Sequence, residues 1–188
     1  MDSNDAAFEV AQAVCIPAIR LATFADALSQ KGRVPSEGLT TEAYISIVRE
    51  SIAFLLHCCD FALYNMLGAL RCSRAMDRIG AVIAQILATE ELWRGTKFAV
   101  TEEIMPQVTL LRGLDPELVN ARNAEYGCLT KADGDFDLSI ETFAAKVAAA
   151  VPQRCATDIR TLATNQSLES LTGLEVIVTH AMAARLAQ

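Results

Sequence analysis

The chain has 188 residues, of which 52% are hydrophobic and 21% charged, with 16 basic and 23 acidic side chains and a net charge of −7. That size fits one domain burying roughly 70% of its unfolded surface, and the mean hydropathy of +0.28 argues against disorder. The acidic balance argues against a general nucleic-acid binder and against strong adsorption to anionic membranes, both of which draw affinity from basic groups, although local basic patches are compatible with it.

The first helix is expected from about Asp5 to Lys31, where Phe8, Val14, Ile19, Leu21, Phe24 and Leu28 roughly follow helical spacing. Pro17 is expected to kink or divide it, because proline removes a backbone donor. Residues 32–38, with two glycines and a proline, read as a loop. Thr40 or Thr41 then caps a second helix containing Tyr44, Ile47, Val48, Ile52, Phe54 and Leu55. Residues 51–70 are long enough to span a bilayer. Asp60 near their middle would cost ~2.5–3.5 kcal/mol on insertion scales, and His57 and Asn65 add to that, so a buried core helix is favoured over a membrane-associated one. A bend is expected near Gly68, after which the helical pattern resumes through Ile79, Val82, Ile83, Ile86 and Leu87.

Trp93-Arg94-Gly95-Thr96 reads as a helix end and Thr101-Glu102-Glu103 as the next start. Asp115 capping with Pro116 in the first helical position starts a further helix through Tyr126. A polar loop follows at residues 131–135. Three short helices are expected over Leu138–Ala150, Gln153–Ala163 and Leu168–Leu186, with Pro152 as a stop signal. No alternating β pattern runs for six residues, and no internal repeat is visible. The reading is a single all-helical domain over residues 1–188, with about seven or eight helices.

Chemistry-bearing motifs are sparse. Asp133-Gly134-Asp135 resembles the start of a calcium loop, but its glycine is at position 2 and Leu138 occupies position 6, so a capped loop is expected. His57-Cys58-Cys59-Asp60 invites a zinc reading, yet adjacent helical residues point to different faces. No GxSxG, HExxH or P-loop motif occurs, so no enzymatic activity, metal or cofactor is expected. The six cysteines form no CxxC pair, and the acidic N-terminus lacks a secretory pattern, so a reducing, cytoplasmic setting is expected. Arg71, Arg74 and Arg78 share one helical face, with Asp77 placed to pair with Arg74. Two readings stand for this stripe: a solvated surface, or an anion or head-group site at the mouth of an apolar pocket.

The order of segments resembles the glycolipid transfer protein superfamily from about Tyr44 to the C-terminus. The segment Tyr44 to Cys59 resembles that family's aromatic-led helix. Leu110-Leu111-Arg112-Gly113-Leu114 is similar to its Arg-Gly-Leu segment, and Ala148-Ala149-Ala150-Val151-Pro152-Gln153-Arg154 to its Ala-Ala and Pro-basic run. The chain departs from the family's head-group motif. The position three before Arg-Gly-Leu is Thr109, and no histidine lies between His57 and His180. The family's aspartate maps to Asp77, with Ala81 in place of the following asparagine or lysine, or the register leaves no acid at all. The resemblance implies a two-layer helical sandwich enclosing an apolar slot for acyl chains, each buried methylene contributing ~0.8 kcal/mol. It implies non-enzymatic binding and intermembrane transfer of a lipid, sphingolipids included, or of another long apolar molecule, with a transient membrane surface as partner. On this reading Asp77, Arg74, Arg78 and Arg112 make the polar contacts, while Phe54, Phe61 and Leu67 line the pocket. The alternatives are a ligand-free scaffolding subunit that docks other proteins, for which the Trp93-Arg94 corner is a candidate hot spot, and a membrane-associated subunit using residues 51–70.

Overall fold

The computed structural model describes residues 3–31, 38–87, 89, 96, 116–131 and 133–179. Among them are six α-helices and no strand: α1 (Ser3–Gln30), α2 (Thr41–Leu67), α3 (Ala69–Leu87), α4 (Pro116–Leu129), α5 (Asp137–Ala149) and α6 (Ala156–Ile177), with a 3-10 turn at Gln153–Cys155. The expectations placed on residues 90–95 and 101–115, Arg112 among them, and on 180–188 fall outside the described residues.

Helix α2 is the axle of the fold and packs against each of the other five helices. Its sequence explains why. Every residue from Ser51 to Cys59 is buried, and a helix that is apolar all round must be enclosed by others. The two polar members of that run are partnered. Ser51 Oγ donates back to the Ile47 carbonyl at 2.7 Å, and His57 is held by two side chains described below. The Thr40 side chain caps α2, accepting from the Ala43 amide at 3.2 Å. Gly68 ends it at φ +74°, a left-handed conformation that glycine reaches without a Cβ penalty, and its amide closes the last turn on the Tyr64 carbonyl at 2.9 Å. The chain restarts at once as α3, whose buried residues Cys72, Ala75, Ile79, Ile83, Ile86 and Leu87 recur at three- and four-residue intervals.

Helix α1 lies on α2, α3 and α6. Its segment Ala6–Gln30 is long and apolar enough to cross a membrane by length and composition, with mean hydropathy 1.4, but half of that window is buried against its neighbours. Pro17 does not divide it. Its C-terminal carbonyls, which lack intrahelical partners, are met from the 3-10 turn: the Arg154 guanidinium donates to Ser29 O at 2.8 Å, and Cys155 Sγ to Leu28 O at 3.7 Å. The buried Asp26 anchors the approach to α2, accepting from the Leu39 amide at 2.7 Å and from Gln30 Nε2 at 2.8 Å.

The expected break between Ala163 and Leu168 is absent, and α6 is one helix. The intervening residues are Thr164-Asn165-Gln166-Ser167. Here the hydroxyls of Thr164 and Ser167 bond back to the carbonyls of Arg160 and Ala163, at 3.0 and 2.7 Å, and are absorbed within the helix. Gln166 reaches across to the Pro17 carbonyl and ties α6 to α1.

Candidate functional site: a polar cleft between two helices

The cleft arises where α2 leaves the core. Beyond Cys59 the helix is progressively uncovered: Asp60, Phe61 and Ala62 are half-buried, and Tyr64, Asn65 and Met66 are exposed. His57, Asp60, Phe61 and Tyr64 are spaced i, i+3, i+4, i+7 and form one stripe. Helix α4 presents Asn120, Asn123, Ala124 and Gly127 at the same spacing. These eight residues line an open cleft of ≈ 400 Å³. The small side chains on α4 leave the room, and the amides supply the chemistry.

Asn123 is the hinge of a hydrogen-bonded chain. Its Nδ2 donates to Asp60 Oδ2 at 2.9 Å, and its Oδ1 lies 2.7 Å from His57 Nδ1. The opposite amide orientation would set a carbonyl against the Asp60 carboxylate, so Nδ1 carries the imidazole proton and donates. On the other side His57 Nε2 lies 3.0 Å from Thr130 Oγ1, which is also 2.8 Å from Ser139 Oγ. Burial lowers the His57 pKa from its usual 6.5, outweighing the opposing pull of Asn123 and Asp60. A neutral imidazole donating at Nδ1 fits this geometry, and Nε2 accepts from Thr130 when that hydroxyl turns from the Tyr126 carbonyl, 3.0 Å away, which Ser139 Oγ also reaches at 3.3 Å. Asp60 Oδ1 accepts from Cys72 Sγ at 3.1 Å. Burial, reinforced by Asp60, pushes that thiol up to about 12, away from the thiolate a nucleophile requires.

The floor is aromatic. Phe136 meets Phe61 edge-on at 5.2 Å between centroids, and meets His57 at 5.9 Å. Gly134, at φ +86°, brings the 131–137 loop beside Phe61, where an added Cβ would lie 3.5 Å from the ring. That loop is capped internally: the Asp133 and Asp135 side chains accept from the amides of Asp135 and Asp137, and Asp135 pairs with Lys131.

A second polar cluster lies beside the core on α2, α4 and α5. Glu50 accepts from the Tyr126 hydroxyl at 2.5 Å and from Arg122 Nε at 2.9 Å. Glu125 accepts from Arg122 at 2.9 Å and from Lys146 Nζ at 2.6 Å. Burial, and then the Glu50 charge, raise the Tyr126 pKa. The recess of ≈ 210 Å³ beside this cluster also carries Ser46, Ile47, Val147 and Ala150. Two acids face two bases, so the network satisfies itself and ties three helices together.

Of the residues expected to bind ligand, Phe61 lines the cleft. Phe54 is 0% exposed, stacked on Phe143 at 4.6 Å and edge-on to Tyr126 at 5.3 Å. The space beside it is only ≈ 10 Å³, about one water sphere, so it fills the core at this point. Leu67 is half-buried against the core. Arg74, Asp77 and Arg78 are exposed on α3. Among the described residues no ion pair joins Arg74 to Asp77. Arg112 lies outside the described residues. Sequence reasoning did not single out Asp60, Asn120, Asn123 and Thr130 as a site, although the matching i, i+3, i+4, i+7 stripes on α2 and α4 were a readable signal. No family model matches the chain, and neither a curated protein nor a solved structure matches it.

Proposed function

We propose that this chain is a non-enzymatic domain of the cytoplasm that binds and transfers a lipid or similar amphiphile, with the ligand's hydroxyl-bearing head in the cleft between α2 and α4. The cleft itself carries the reading. Its volume lies within the roughly 300–1,000 Å³ of small-ligand sites. Asp60 and the amides of Asn120 and Asn123 offer acceptors and donors suited to hydroxyl groups, while Phe61 and Tyr64 offer apolar surface for a sugar face or the first methylenes of a chain. On this reading the head group meets Asp60 rather than Asp77. The two-layer helical sandwich of the glycolipid transfer protein superfamily, with about seven or eight helices, is the architecture we propose for it.

The test is a displacement titration with a fluorescent-acyl glucosylceramide. Asp60→Asn should weaken binding roughly ten-fold or more, since hydrogen bonds to a charged acceptor contribute ~1.5–3 kcal/mol. If the wild-type chain takes up none of the probe, the reading fails. One observation favours the scaffolding alternative: the interior beside Phe54 is filled rather than slotted. Stable isolation of the chain within a larger complex, empty of lipid, would establish that alternative.

A further inference from the structure

The elbow at Gly68 groups three exposed large apolar side chains. Leu70 is 70% exposed, Tyr64 57% and Met66 39%, all within two turns of the break. On α3 the buried residues define an inner face. Leu70, Arg74 and Arg78, at four-residue steps, fall on the outer one with Asp77, and the exposed Arg71 flanks them. Three arginines and one aspartate are the whole charge of α3, in a chain whose net charge is −7. Positive charge is thus concentrated next to the exposed apolar cluster. Tyr64 belongs both to this cluster and to the cleft lining, so the surface is continuous with the cleft mouth.

We propose that the α2–α3 elbow is a membrane-docking surface, which sets Tyr64, Met66 and Leu70 into the interface of an anionic bilayer while Arg71 and Arg74 meet its phosphates. Apolar side chains at an interface combined with a basic flank are the two signals that interfacial attachment needs. So few groups of each kind give a reversible attachment, as a carrier requires. The charge pattern selects an anionic lipid surface over a neutral one or an acidic-faced protein surface, because the arginine forks suit phosphates while the apolar residues need an acyl boundary. The inference rests on the transfer reading for its purpose, but its test does not depend on it.

The experiment is co-sedimentation of the full chain with phosphatidylcholine vesicles, with and without phosphatidylserine and free of glycolipid. The wild-type chain should bind the anionic vesicles and be released by high salt, which shortens the screening length from ~10 Å at 0.1 M to ~3 Å at 1 M. Arg71→Gln should weaken binding about five-fold, and Arg71→Gln with Arg74→Gln about 25-fold. Leu70→Ser with Arg71→Gln should abolish sedimentation yet leave uptake of a water-soluble short-chain glucosylceramide unchanged, so loss of docking and loss of the cleft reading are told apart. Both side chains are exposed, and circular dichroism of each variant checks that folding is retained. Equal binding to neutral and anionic vesicles, wild-type binding by the Leu70 and Arg71 variant, or salt-insensitive self-association through Leu70 would each overturn the proposal.

Discussion

Phe54→Ala separates a filled core from an acyl slot. Phe54 has no exposed surface, a stacked partner in Phe143, an edge partner in Tyr126, and ≈ 10 Å³ of space beside it. Truncation therefore removes a full aromatic packing load and leaves a cavity that α2, held on every side, is poorly able to collapse. Phe→Ala changes in such settings cost ~3–5 kcal/mol. For a chain of this length each kcal/mol lowers Tm by about 2–4 °C, so a fall of about 6–20 °C is expected. Urea denaturation followed by circular dichroism should show a lower midpoint with an unchanged slope, because the surface exposed on unfolding is nearly the same. A loss under ~1 kcal/mol would mean that Phe54 already borders open space, and the description of this part of the interior would be wrong.

Glu50→Ala should cost about 1.5–3 kcal/mol, because it strands the Tyr126 hydroxyl and removes a carboxylate from Arg122. Tyr126→Phe should cost less, about 1 kcal/mol, since Glu50 keeps Arg122; equal costs measured by urea titration would show that the tyrosine carries the network. His57 gives a pH dependence of definite sign. Its folded pKa is lowered by burial, so the unfolded state binds the proton more readily. Stability is therefore complete above the ordinary imidazole value of 6.5 and is lost as pH falls below it. Thermal melts across this range should show a slope that His57→Gln abolishes; an unchanged slope in the variant would assign it to other groups. Five of the six free thiols are buried and Cys128 is exposed. A disulfide-exchange reagent should thus modify one thiol quickly in native protein and the rest only on unfolding, and rapid modification of two or more would contradict the packing.

The helical class and most boundaries were legible in the sequence because they rest on local chemistry: the Thr40 cap, the Gly68 break and the stop around Pro152 all act within a turn or two. The failures came where local signals are overridden. Thr164 to Ser167 read as a break, but hydroxyls that find their own i−4 carbonyls do not interrupt a helix packed on both α1 and α5. Pro17 was expected to kink or divide α1, and the helix is not divided there. Legibility was poorest at the cleft. Asp60 and His57 weighed as costs of membrane insertion and as members of a discounted zinc cluster, and the hydrogen bonds that join them run through Asn123, 63 residues from Asp60 and 66 from His57 in the chain. The arginine stripe was legible from its charge and its three- and four-residue spacing; its exposure is a tertiary fact, fixed by which face of α3 carries Ile79 and Ile83 inward.

Native mass spectrometry of the purified chain, followed by organic extraction, tests the binding reading most directly, with Asp60→Ala and Asn123→Ala measured beside the wild type. The account predicts a stoichiometric lipid with a hydroxyl-bearing head on the wild-type chain, and its loss or marked depletion on both variants. A folded wild-type chain that is empty as purified and stays empty after incubation with glucosylceramide vesicles would contradict it.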